Sequence, residues 1–248
     1  EAVSAVLITR ALMKSTDIYK LNLRKIRFHG QVLRSQLYIG LPGGFQSTMY
    51  SLSNILIQAA INAYGTDTTA AWAAYGKLDA IFWMVSSAFG VSITTFVGQN
   101  YGAGKYDRIK KSVRICLGMD FVVSVLLTLF LMFLRVPLFR IFTTDAEVIR
   151  IGSRMLELIT PCYVIFIFIE VLSGALRGVS DVIIPMLLTL FGICLLRIAW
   201  ILFIVPIRPS IETLLFNYPL TWVLTSILFI SYYLYKKRRL GPPKVIRD

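Results

Sequence analysis

The sequence predicts an all-α membrane protein, a bundle of six spanning helices. Three observations predict it. Six apolar segments, at about 36–63, 71–98, 110–134, 148–172, 182–206 and 214–235, each exceed the ~20 residues that cross ~30 Å of hydrocarbon. Hydrophobic residues make up 56% of the 248-residue chain and mean hydropathy is +0.70, a balance a soluble domain of this size has no use for. Basic residues gather between alternate segments. Because hydrocarbon offers the backbone no hydrogen-bond partners, the segments are read as helices.

Taken in order, residues 1–13 (EAVSAVLITRALM) are apolar but too short to span, and read as the end of a preceding transmembrane helix. Residues 14–35 are polar and basic with scattered Ile, Tyr, Leu and Phe, a cytoplasmic linker lying at the membrane surface. The stretch GLPGG (40–44) opens the first full helix, where Pro42 is tolerated because first-turn N–H groups lack partners. Gly65 and Asp67 mark the next turn. Residues 98–111 (GQNYGAGKYDRIKK) read as a glycine-rich basic turn. This stretch lacks the preceding strand and the Lys-Ser/Thr of a nucleotide-binding loop. Thr143-Thr144-Asp145 offers an N-cap for the fourth helix, and Pro161 loosens or kinks it. Leu176-Arg177-Gly178, with Asp181 and Pro185, makes the following turn, and residues 236–248 form a basic tail.

The net charge of +13 sets topology. Eighteen of the 26 Lys and Arg lie in 14–34, 105–114, at Arg177 and in 236–247, all on one side of the bundle. By the positive-inside rule that side is cytoplasmic, facing anionic headgroups. A nucleic-acid partner is not expected, since no soluble domain carries the basic residues with interleaved aromatics. Cys116, Cys162 and Cys194 sit inside apolar segments as structural thiols, and the lone His29 has no ligands at metal spacing. No Ser/His/Asp set or catalytic carboxylate pair is present, so an enzyme is not expected.

Polar residues within the spans are the site candidates. Ser47, Ser51, Asn54, Gln58 and Asn62 fall on one narrow face of the first helix. Lipid does not accept such a row; interhelical hydrogen bonding and a cavity wall both explain it. Lys77 and Asp79 lie two residues apart, about 200° around the second helix, so they are not a local pair. Asp79 shares its face with Trp72, Tyr75 and Trp83, a setting for cation binding through charge and aromatic rings. Glu170 sits late in the fourth helix on the face of Tyr163 and Phe166, two turns before Arg177, which can reach back toward it. Asp120 lies near Arg114 and Lys110 and reads as an interfacial anchor. Arg197, in mid-helix, must find a carboxylate or a cavity.

Three stretches together, GLPGGFQSTMYSLSN (40–54), FVGQNYGAGKYDRIKKSVR (96–114) and SGALRGVSDVIIPM (173–186), resemble the multidrug and toxic-compound extrusion family. The resemblance covers residues 1–235 and rests on the turns holding Gly98, Gln99, Gly102 and Gly104, and Leu176, Arg177, Gly178 and Pro185. It implies that residues 36–235 are the carboxy-terminal lobe of a twelve-helix exporter of the inner (plasma) membrane. Such a protein moves organic cations and drugs outward against sodium or protons and needs no bound cofactor. The partner of this lobe would be an amino-terminal lobe across a central cavity. The candidate contacts for substrate and ion are then Asp79, Glu170, Lys77, Asn54, Gln58, Ser51, Trp83, Tyr163 and Arg197. The family often places acids in its seventh and tenth helices; here the seventh has none, and Asp79 lies in the eighth. A lipid-linked oligosaccharide flippase, which would use Lys77 and Arg197 for pyrophosphate, and a channel-forming subunit remain alternatives.

Overall fold

The computed structural model describes residues 2–15, 20–22, 27 and 29–238. Residues 239–248 of the expected tail lie outside the described residues. The chain divides into two units, Glu1–Gly40 and Leu41–Asp248. In the first, α1 (Ala2–Lys14) has no buried residue, and Leu21 donates its N–H back to the Leu12 carbonyl at 3.1 Å.

Helix α2 runs unbroken over Gly30–Asn62, so GLPGG lies inside a helix and does not open one. The run QVLRSQL before it is made of competent helix formers, and this outweighs Pro42. The proline removes one backbone donor within the helix, and the unit boundary falls beside it.

Among the described residues, five helices are long and apolar enough to cross a membrane: Thr66–Gly102, Tyr106–Phe133, Ala146–Gly178, Ile183–Ile204 and Ile211–Arg238. Helix α2 has the length but not the hydropathy, because amides and hydroxyls interrupt it. Most of the five exceed their expected segments at both ends. At one end the added turns carry Tyr101, Tyr106, Arg177, Lys236 and Lys237, amphipathic side chains that can extend a helix while keeping their polar tips in water.

Helix α3 (Thr66–Gly102) and α4 (Tyr106–Phe133) form an antiparallel pair joined by a tight turn at 103–105, where Gly104 takes φ 70°. Gly98, Gln99 and Gly102 therefore belong to α3 and not to a loop. Packing keeps this glycine-rich stretch helical. A short helix α5 (Arg135–Arg140), unforeseen from sequence, precedes α6 (Ala146–Ile159). Asp145 caps α6, accepting from the N–H groups of Glu147 at 2.8 Å and Val148 at 3.3 Å. At Pro161 the span tightens into a 3-10 turn, Thr160–Cys162, and resumes as α7 (Tyr163–Gly178). Leu176, Arg177 and Gly178 close α7, and the turn itself is 179–182, with Ser180 at φ 62°.

The fifth span is the least regular. Helix α8 (Ile183–Thr189), with Pro185 buried in its first turn, leads into a π-helical stretch, Leu190–Leu195. After α9 (Leu196–Ala199) a second π stretch covers Trp200–Ile204. At Gly192 the chain lies against Thr225, and a β-carbon there would collide with its hydroxyl. Helix α10 (Ile211–Leu215), capped by Ser210, leads into α11 (Asn217–Arg238).

The core is built on a parallel crossing of α3 and α7. Thr94 Oγ1 donates to the Gly174 carbonyl at 3.0 Å. A β-carbon at Gly174 would lie 2.7 Å from the Gly90 carbonyl oxygen, and one at Gly178 would lie 2.8 Å from the Thr94 carbonyl oxygen. Small residues let the two backbones approach, as in other lipid-embedded helix pairs. Phe82, Tyr163, Phe166 and Trp222 fill the space above the crossing. Asp181 ties the turn after α7 to the end of the last span, accepting from Tyr232 Oη at 2.6 Å and pairing with Lys236 Nζ at 2.8 Å.

Candidate binding cavity

A cavity of about 850 Å³ lies within the second unit. Its α2 wall is polar, made by Gln46, Ser47, Tyr50, Asn54 and Gln58. Its α3 wall is aromatic around one acid, with Trp72, Tyr75, Asp79 and Trp83. Phe166, Glu170 and Arg177 enter from α7, Arg197 from the fifth span, and Tyr218 and Trp222 from α11.

Asp79 is held by three donors. Trp83 Nε1 donates to Oδ2 at 2.6 Å, Tyr75 Oη donates to Oδ1 at 3.2 Å, and Tyr163 Oη donates to the same Oδ1. Tyr75, Asp79 and Trp83 are spaced by four, so α3 presents all three together. Tyr163 comes from α7 and stacks on Phe82 with centroids 3.8 Å apart and planes at 5°. It is fully buried and does not line the cavity; it positions the acid from behind.

Glu170 faces Arg177 at 3.8 Å across two turns of α7. Gly90 makes room for its carboxylate, since a β-carbon there would occupy the same space. Arg197 is 3% exposed. Its Nη1 donates to Asn54 Oδ1 at 3.4 Å, and its Cζ lies 4.3 Å from the Tyr218 ring centroid. Among the described residues no carboxylate pairs with it.

The structure does not bring Lys77 or Ser51 to the cavity. Lys77 is exposed on the opposite side of α3, as its angle from Asp79 requires. Ser51 is also exposed; the α2 stripe turns with a spacing of 47, 50, 54 and 58, so Tyr50 takes the place given to Ser51. Gln58 Nε2 also donates to Asn62 Oδ1 at 2.8 Å, joining the last two residues of the stripe. Tyr50, Tyr218 and Trp222 were not anticipated. The i,i+4 pair Tyr218–Trp222 was a usable signal on the sixth segment.

Asp120 is not an interfacial anchor. It is fully buried; Ser124 Oγ donates to Oδ1 at 3.4 Å, and Oδ2 has no partner among the described residues. Helix α4 starts earlier than expected, which lifts Asp120 away from the basic turn. No group of metal-ligating side chains occurs among the described residues.

Long apolar helices around a mixed-charge aromatic cavity define a multi-pass membrane protein. The MatE family model matches residues 42–202, and the chain belongs to that family. Its members are transporters of the cell membrane, not enzymes. The chain is 23% identical over 221 residues to the "Probable multidrug resistance protein YoeA" of Bacillus subtilis, covering 88% of this chain and 48% of that protein. It is 28% identical over 152 residues to an "FAD transporter" of Shewanella oneidensis, covering 59% of this chain and 33% of that protein. A solved MOP superfamily transporter from Pyrococcus furiosus shares the fold, with TM-score 0.87 at 16% identity over 96% of this chain and 54% of that one. The chain thus spans about half the length of the relatives it matches.

Proposed function

We propose that this chain is the carboxy-terminal lobe of a secondary active exporter. It takes organic cations and drugs from the inner face of the membrane and releases them outside as sodium or protons move in. Helix α2 is its first span, making six, and an amino-terminal lobe closes the cavity from the other side. The observation that carries the reading is Asp79, a carboxylate held by three donors in an aromatic wall of a large cavity. Rings and charge together favour an aromatic cation. The α2 stripe supports it too, because Asn54 and Gln58 line the cavity rather than serving only as contacts between helices. A flippase is disfavoured, since Lys77 stands outside the cavity and a pyrophosphate would meet two acids.

Export requires each ligand to favour one of two openings of the cavity. Glu170 lies at the close α3–α7 crossing and faces Arg177, so its charge state biases the packing there. Glu170→Gln in the full-length protein is expected to cut transport of all substrates at least tenfold while changing equilibrium drug binding less than threefold. Proteoliposome flux and drug binding on the same preparation check this. Unchanged flux would remove Glu170 from the coupling step.

A further inference from the structure

Four charged side chains line the cavity, and two of them pair with each other, Glu170 with Arg177. Asp79 and Arg197 remain, and they differ. Asp79 has its three donors. Arg197 is buried with a single long hydrogen bond to Asn54 and a ring beneath it, and its Nε has no partner among the described residues. Contact with Tyr218 offsets part of the cost of burying this cation, but among the described residues only its Nη1 has a hydrogen-bond partner.

The two charges sit at the ends of one aromatic band. Tyr75 donates to Asp79 and stacks on Trp72 at 5.2 Å; Trp72 lies 6.2 Å from Tyr218; Arg197 lies over Tyr218. The band offers faces for stacking, an acceptor at one end and a guanidinium fork at the other. We propose that the cavity binds aromatic zwitterions, with the ligand's carboxylate on Arg197, its rings along Trp72 and Tyr218, and its cationic nitrogen at Asp79. An arginine fork matches a carboxylate with two parallel hydrogen bonds, which a purely cationic ligand cannot supply. The inference rests on the exporter reading and narrows its substrate class.

Rhodamine B, a zwitterion, and its ethyl ester, a cation, differ only at the carboxylate. Their affinities for the purified full-length protein, measured by fluorescence polarisation, test the assignment. The parent is expected to bind the zwitterion about tenfold or more tightly than the ester. Arg197→Gln should erase that preference, and Arg197→Lys should keep part of it, because the charge survives without the fork. Equal affinities in the parent, or an unchanged preference in Arg197→Gln, would overturn the anion subsite and leave the drug cavity standing. Binding of neither dye to the parent would remove both.

Discussion

Replacing Asp79 with asparagine is expected to weaken binding of aromatic cations by about ten- to a hundredfold, the loss of roughly 1.5–3 kcal/mol from one charge-assisted contact. Binding of neutral drugs of similar shape should fall much less. Asparagine keeps the size of the side chain and one of its two acceptor oxygens. Its amide nitrogen would face either the indole N–H of Trp83 or the hydroxyls of Tyr75 and Tyr163, all of which now donate to the carboxylate. With its oxygen on the indole N–H and its amide nitrogen donating to the tyrosine hydroxyls, which accept as well as donate, the variant loses the charge while the aromatic wall stays in place. Equilibrium binding of matched cationic and neutral dyes to full-length protein checks this. Equal losses for both dyes would mean that the wall, and not the charge, recognises the ligand.

The second large effect is on folding. Gly174→Ala places a methyl group 2.7 Å from the Gly90 carbonyl oxygen and from Ile93 Cγ2, both held by the same crossing. Neither neighbour is the free end of a flexible chain, so the helices must part. The expected cost is about 2–3 kcal/mol, and Gly174→Leu should leave almost no folded protein in the membrane. Gly118→Ala is the contrasting case: nothing lies within 4 Å of its added carbon, and helix propensity predicts a gain of up to about 1 kcal/mol. Thermal unfolding in detergent, followed by size-exclusion of the heated samples, separates the two. Equal stability of Gly174→Ala and the parent would deny that the α3–α7 contact holds the bundle.

Features written in local spacing were legible before the structure. The length of the apolar runs, the Asp145 cap, the joint face of Tyr75, Asp79 and Trp83, and the reach of Arg177 toward Glu170 all follow from helical periodicity. Features that depend on a second helix were not. Nothing local shows that Tyr163 turns its hydroxyl back to Asp79 from α7, or that Gly90 yields its space to Glu170. The π-helical stretches at 190–195 and 200–204 depend on how the fifth span meets its neighbours, as Gly192 does at Thr225. Asp120 was placed by its charged neighbours in sequence, whereas its burial is decided by where α4 begins. Ser51 stands outside the cavity lining for a finer reason. Two stripes one residue apart, through 50 or through 51, both suit the helical period, and only packing selects between them.

In the exporter we propose, Asp79 marks the cavity through which organic cations leave at the expense of an ion gradient. The most direct measurement is uptake of a fluorescent organic cation into proteoliposomes holding the full-length protein, with an imposed sodium or proton gradient. Concentrative, gradient-dependent transport is expected in the parent, and at least tenfold less at a fixed low dye concentration in Asp79→Asn. Transport that ignores both gradients, or that proceeds equally well in Asp79→Asn, would contradict it.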